Sequence, residues 1–109
     1  MALAAASRQA ILLNPNFPEA YVNLGVSLQS KGKIDEAIAT YRKAIELRPE
    51  IAETHYRLGL AYRRTGDEAG ARKQLQLHEE LSKRGKEDAE RERSAIQEFV
   101  ISLRDGKTE

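Results

Sequence analysis

The chain has 109 residues, and its 18 Lys and Arg against 17 Asp and Glu leave a net charge of +1, which gives no general pull toward nucleic acid or anionic lipid. A single domain of this size buries about two-thirds of the surface its unfolded chain exposes, so its stability margin is thin. With no cysteine, disulfide frameworks, thiolate metal sites and a cysteine nucleophile are excluded.

The opening Met-Ala-Leu-Ala-Ala-Ala-Ser-Arg lacks a basic leader and is apolar only briefly, so it reads poorly as a signal peptide. No apolar run approaches the roughly 20 residues that span a bilayer. The expectation is a soluble, cytoplasmic chain that engages neither membrane nor nucleic acid.

Hydrophobic steps of three and four predict a first helix over about 3–14, with Leu3, Ala6, Ala10, Ile11 and Leu13 on its apolar face and Pro15 after its end. A second helix over about 19–31 begins with Pro18 in its first turn, where the missing N–H costs nothing. A third follows over about 35–48 and stops before Pro49. Tyr21, Leu24, Leu28, Ile34, Ile38, Tyr41 and Ile45 recur as buried helix stripes do, and they form the expected core. Gly32 and Gly66 stand between paired helices, where a left-handed residue ends one helix, and Asp67 can cap the next. The fourth and fifth helices are predicted over about 53–65 and 68–83. Gly85, following Lys83 and Arg84, reads as a helix stop, while the alternating four-three spacing of Ala71, Leu75, His78, Ser82, Gly85, Ala89, Glu92, Ile96, Phe99 and Leu103 leaves open a single long helix with a coiled-coil seam. Beyond it, Ile96, Phe99, Val100 and Leu103 form the single apolar stripe of an amphipathic helix.

The chain repeats itself. Tyr21-Val22-Asn23-Leu24-Gly25 returns as His55-Tyr56-Arg57-Leu58-Gly59, 34 residues later. The same offset relates Leu28 to Tyr62, Gly32 to Gly66, Ala37 to Ala71 and Tyr41 to Leu75. Gly25, Ala37 and Ala44 are the small residues that let two helices of a hairpin approach closely.

Tyr21, Leu24-Gly25, Leu28, Ala37, Tyr41, Ala44 and Pro49 make the unit resemble a tetratricopeptide repeat. The resemblance implies an all-α fold: antiparallel helix-turn-helix repeats in a short right-handed α-solenoid, here with a C-terminal amphipathic helix. It divides the chain into the second helix of an incomplete repeat (1–17), a complete repeat (18–51), a divergent repeat (52–85) and a capping or dimerisation helix with its tail (86–109). In the incomplete unit Leu3, Ser7 and Ala10 occupy the slots of Ala37, Tyr41 and Ala44. If roughly 400 Å² of its apolar face stayed wet, about 10 kcal/mol of burial would be forgone, so a longer array or a partner in trans is expected to cover it. His78 stands in the slot of Ala44 and Lys83 in that of Pro49, so the array ends with the second unit.

Nothing points to catalysis, a metal or a cofactor. His55 and His78 come from different helices with no His-x3-His pair, and there is no glycine-rich phosphate loop. Both read as structural. Paired acids such as Asp35-Glu36 and Glu79-Glu80 read as helix starts or solvated faces.

The resemblance implies that the first helix of each pair lines a concave groove that binds a protein or peptide. Its outward residues are Glu19, Val22, Asn23, Val26, Gln29 and Ser30, then Glu53, Tyr56, Arg57, Leu60, Arg63 and Arg64. Val22, Asn23, Val26, Tyr56, Arg57, Leu60, Arg63 and Arg64 are the candidate site. Three arginines beside an aromatic and an apolar residue suit an extended, acidic peptide; a solvated arginine face is the plain alternative. Asn23 and Arg57 also resemble two positions of the carboxylate clamp in chaperone-binding members, whereas Glu53 stands where that clamp wants lysine.

Two further functions stay open. Ile96, Phe99, Val100 and Leu103 either cap the last repeat of their own chain or mediate homodimerisation by covering the open N-terminal helix of another. The chain also fits the regulatory repeat region of a larger enzyme.

Overall fold

The computed structural model describes residues 2–106. Its elements are α1 (Ala2–Leu13), α2 (Pro18–Ser30), α3 (Ile34–Leu47), α4 (Ala52–Thr65) and α5 (Glu68–Arg104). Consecutive helices pack on one another, α1 on α2, α2 on α3, α3 on α4 and α4 on α5, which gives an all-α solenoid of helix-turn-helix repeats with a long last helix.

The period is visible as packing. Leu28, Ala37, Tyr41, Leu58 and Ala61 form the buried centre, with Val22, Leu24, Val26, Ile34, Ile38, Ile45 and Tyr62 against it. Gly25 is where α2 meets α3: a Cβ there would lie 2.7 Å from Tyr41 Cδ1, and the Tyr41 ring, with no exposed surface, has nowhere to move. Gly59 repeats the contact, its Cβ position 2.9 Å from Leu75 Cγ. Gly32 and Gly66 adopt φ of +79° and +88°, which ends α2 and α4 as the spacing predicts. Asp67 accepts a hydrogen bond from the Gly70 N–H at 2.8 Å and caps α5.

The expected stop at Gly85 does not form. Gly85 has no positive φ, and α5 runs through it for 37 residues, about 55 Å of helix. The slot that Pro49 fills after α3 holds Lys83 here, so nothing forbids continuation. The Arg- and Glu-rich stretch that follows favours helix, and Arg91 pairs with Asp88 at 3.4 Å. The tail consequently does not fold back as a cap. Ile96, Phe99, Val100 and Leu103 are 62%, 59%, 52% and 54% exposed. The radius of gyration, 19.2 Å against about 13 Å for a compact chain of this length, records the projection.

At the other end, α1 turns Ala4 and Ser7 into the contact with α2. Ala10 and Ile11 are half-buried and Ala6 is exposed. Leu12 and Leu13 stand 84% and 81% exposed. The Leu3 side chain, counted on that apolar face above, lies outside the described residues, as do 107–109 of the tail.

Candidate functional site

The 34-residue period lays α2 and α4 side by side in equivalent positions, so that their outward faces form one surface. Two clefts adjoin on it. The first, about 260 Å³, is walled by Glu19, Val22 and Asn23 of α2, by Arg48 and Ile51 of the α3–α4 connection, and by Glu53, Thr54 and Arg57 of α4. The second, about 250 Å³, is walled by Val26, Gln29 and Ser30 on one side and Arg57, Leu60 and Arg64 on the other. Arg57 belongs to both and divides them.

Charge in the first cleft is paired. Arg57 donates from Nε and Nη2 to Glu53 Oε1 at 3.0 and 2.8 Å. Arg48 Nη1 donates to Glu19 Oε1 at 3.2 Å across the cleft's rim. Both pairs are substantially exposed, so each contributes on the order of 0.3–1 kcal/mol and can be exchanged for an incoming carboxylate at little cost. Arg64 has no ion-pair partner among the described residues. Beneath this surface the Tyr41 hydroxyl donates to Gln29 Oε1 at 2.9 Å, fixing one wall of the second cleft to the core. Burial pushes the Tyr41 pKa above the usual tyrosine value, partly offset by the positive charge of Arg57. Thr54, also without exposed surface, leaves its hydroxyl with no hydrogen-bond partner among the described residues.

Of the candidate site residues, Val22, Asn23, Val26, Arg57, Leu60 and Arg64 line these two clefts. Tyr56 and Arg63 do not. Tyr56 turns toward α5, its ring 5.1 Å from that of His78. Arg63 borders a separate cleft of about 500 Å³ at the C-terminal end of the repeats, with Glu68, Arg72, Gln76 and Glu79 around Ala71 and Leu75. Tyr56 and Arg63 are seven residues apart and share a stripe of α4 rotated by one residue, about 100°, from Arg57 and Arg64. Arg48, Ile51 and Thr54 are the cleft residues that sequence reasoning missed. The period held the signal, because Ile51 and Thr54 are the counterparts of Phe17 and Ala20 at the start of α2.

Both histidines sit within the scaffold. The His55 ring nitrogens lie 2.7 Å from Gln74 Oε1 and 2.7 Å from the Pro49 carbonyl oxygen, tying α4 to α5 and to the end of α3. His78 Nδ1 lies 3.1 Å from the Ala52 carbonyl oxygen. Among the described residues no three His, Asp or Glu side chains converge as metal ligands do, and no helix is long and apolar enough to cross a membrane.

Family models described as TPR repeat or tetratricopeptide repeat match residues 7–39, 27–66 and 52–82. Protein O-mannosyl-transferase Tmtc2 of Drosophila melanogaster is 43% identical over 49 residues, which is 45% of this chain and 5% of that protein. The TPR repeat-containing thioredoxin TTL4 of Arabidopsis thaliana is 35% identical over 67 residues, 62% of this chain and 10% of that protein. Among solved structures, a crystal structure of MamA superimposes with a TM-score of 0.74 at 31% identity, over 77% of this chain and 49% of that one. A second MamA structure gives 0.68 at 28% identity, over 72% and 45%. The chain thus spans about half of the MamA chains and a tenth or less of the curated relatives.

Proposed function

Because this chain belongs to the tetratricopeptide repeat family, whose repeats are non-catalytic scaffolds for other proteins, we propose that it holds an extended acidic peptide along the two clefts that meet at Arg57. The observation that carries this reading is Arg57 itself, shared by both clefts, with only two of its five N–H donors committed, both to a single carboxylate oxygen of Glu53. A peptide carboxylate engages the free edge of Arg57 or displaces Glu53, and a second carboxylate meets Arg64. Asn23 offers both a donor and an acceptor to peptide backbone, while Val22, Val26 and Leu60 take apolar side chains between the charges.

The test is fluorescence anisotropy on labelled extended peptides that alternate Glu or Lys with Leu. The Glu series binds, the Lys series does not, and Arg57→Ala with Arg64→Ala weakens the Glu series about 100-fold or more, at about 1.5–3 kcal/mol per charged hydrogen bond lost. Equal binding of the two series, or an affinity untouched by the double variant, refutes the groove assignment.

The relatives support a second reading, in which the repeats serve a larger enzyme as its regulatory or docking region. Both curated relatives carry, in their names, a transferase or a thioredoxin to which the shared segment is a small fraction. Reading the gene beyond both ends of the 109 codons decides it: an adjoining catalytic domain supports this reading, and stop codons in frame on either side remove it.

A further inference from the structure

We propose that residues 95–103 are a displaced first helix of a repeat, and that they dock in the cleft between α1 and α2 of a second copy of this chain. The inference is independent of peptide binding at Arg57. Laid on Ala20 to Leu28 of α2, the segment Ala95 to Leu103 keeps Ala, Ser and Leu at the positions of Ala20, Ser27 and Leu28, and sets Ile96 and Phe99 at those of Tyr21 and Leu24. In α2 the residues Ala20, Ser27 and Leu28 are 3%, 6% and 4% exposed. The segment has the packing face of a buried repeat helix, yet it projects into solvent. It also stands late: Leu103 follows Tyr62 by 41 residues, seven more than the period that relates Tyr62 to Leu28. Seven residues are two helical turns, which keep the face in register while the uninterrupted α5 carries it away from its own repeats.

The receiving site is a cleft of about 140 Å³ between α1 and α2, lined by Ala6, Ser7, Ala10, Phe17, Ala20 and Asn23. One period on, Phe17, Ala20 and Asn23 become Ile51, Thr54 and Arg57, the α4 wall that faces α2. Ser7 becomes Tyr41, the ring that presses on Gly25. The cleft is therefore the place that a first helix fills in a complete repeat. Sizes there are exchanged in a complementary way. Within the chain a glycine of the first helix meets a large residue of the second, Gly25 with Tyr41 and Gly59 with Leu75. The tail carries Val100 in the glycine position, and α1 carries Ser7 in the tyrosine position.

Other pairings fit less well. The tail's own α5 packs on α4, at the opposite end of the repeats from α1. The open C-terminal cleft is walled by Arg63, Glu68, Arg72 and Glu79, where an apolar stripe would leave charges unpaired. Tail-to-tail pairing uses a narrow two-position seam, whereas Ile96, Phe99, Val100 and Leu103 form the wider stripe of a helix laid into a groove.

The test uses the whole chain and two exposed-site variants, each followed by light scattering after gel filtration across a concentration series. Phe99→Asp disables the tail and leaves the cleft intact; Ala6→Arg blocks the cleft and leaves the tail intact. The native chain associates, each variant alone is monomeric with native circular dichroism, and an equimolar mixture restores a one-to-one heterodimer. A native chain that stays monomeric at every concentration overturns the proposal. So does an Ala6→Arg chain that self-associates as the native chain does, which would assign the tail to pairing with another tail.

Discussion

Gly85 lies in the middle of α5 with open space around its Cα: a Cβ there meets nothing within 4 Å. Replacing it with alanine changes only backbone preference. In a continuous helix Ala is favoured over Gly by about 0.8–1.0 kcal/mol, because the glycine pays the larger entropy on ordering. If Gly85 instead ended a helix in the left-handed region, as Gly32 and Gly66 do at φ of +79° and +88°, the same Cβ would cost on the order of 1 kcal/mol or more. The sign of the effect reports the backbone state. With RT near 0.6 kcal/mol, the stabilisation slows local opening about four- to five-fold. Hydrogen exchange of the amides from Gly85 to Ala95 reads that factor directly, and global unfolding does not, since this stretch has no packing partner in the monomer. Slower exchange in Gly85→Ala, with equal or higher helical content, is the expected result. Faster exchange or lost helicity would refute a continuous α5, and with it the displacement that carries the tail clear of its own repeats.

Two further substitutions probe the scaffold under the clefts. Tyr41→Phe removes the hydrogen bond to Gln29 and is expected to cost about 1 kcal/mol in urea unfolding at neutral pH. Because burial raises the Tyr41 pKa, the folded chain retains that proton after the unfolded chain has lost it. The native protein therefore loses stability as pH rises above the ordinary tyrosine value of about 10, and its lead over the variant shrinks there; a constant gap from pH 7 to 11 would contradict the burial argument. Thr54→Val keeps the shape and removes a buried hydroxyl that has no partner, so thermal unfolding should show a gain of about 1 kcal/mol; a loss would mean that the hydroxyl is hydrogen-bonded in solution.

The repeats were legible because each diagnostic position answers to one nearby contact. Gly25 is small since Tyr41 fills the space beside it, and Gly32 and Gly66 hold the positive φ that each turn requires. Such pairwise demands survive as a period in the sequence. The fate of α5 was not legible in the same way. A glycine after two basic residues weighs against helix by about 1 kcal/mol, and the helix-favouring residues across Lys83 to Arg93, with the i,i+3 pair of Asp88 and Arg91, together outweigh it. The candidate site was legible in part: the residues of α2 and α4 facing each other follow from the period. Whether a given α4 residue turns toward α2 or toward α5 depends on rotation about the helix axis, which separated Arg57 and Arg64 from Tyr56 and Arg63.

Asn23 belongs to both proposed binding surfaces. It lines the cleft that runs to Arg57 and also the cleft between α1 and α2. A helix of a second copy seated against α1 would hold the Asn23 side chain from one side while a peptide engages it from the other. Two ligands that meet at one side chain are thermodynamically coupled, and the coupling is reciprocal: whatever factor assembly imposes on peptide affinity, the peptide imposes on assembly. The sign follows from geometry at the amide. Asn23 has two donors and one acceptor oxygen with two lone pairs, and in the register of the tail on α2 the residues brought beside it are Gln97 and Glu98, the counterparts of the Val22 and Asn23 that face Arg57 across the first cleft, so the docked helix takes up part of its hydrogen bonding. Assembly then competes with the peptide for the Asn23 amide and sets the carboxylate of Glu98 beside a cleft that takes an acidic peptide, so peptide affinity falls in the associated state.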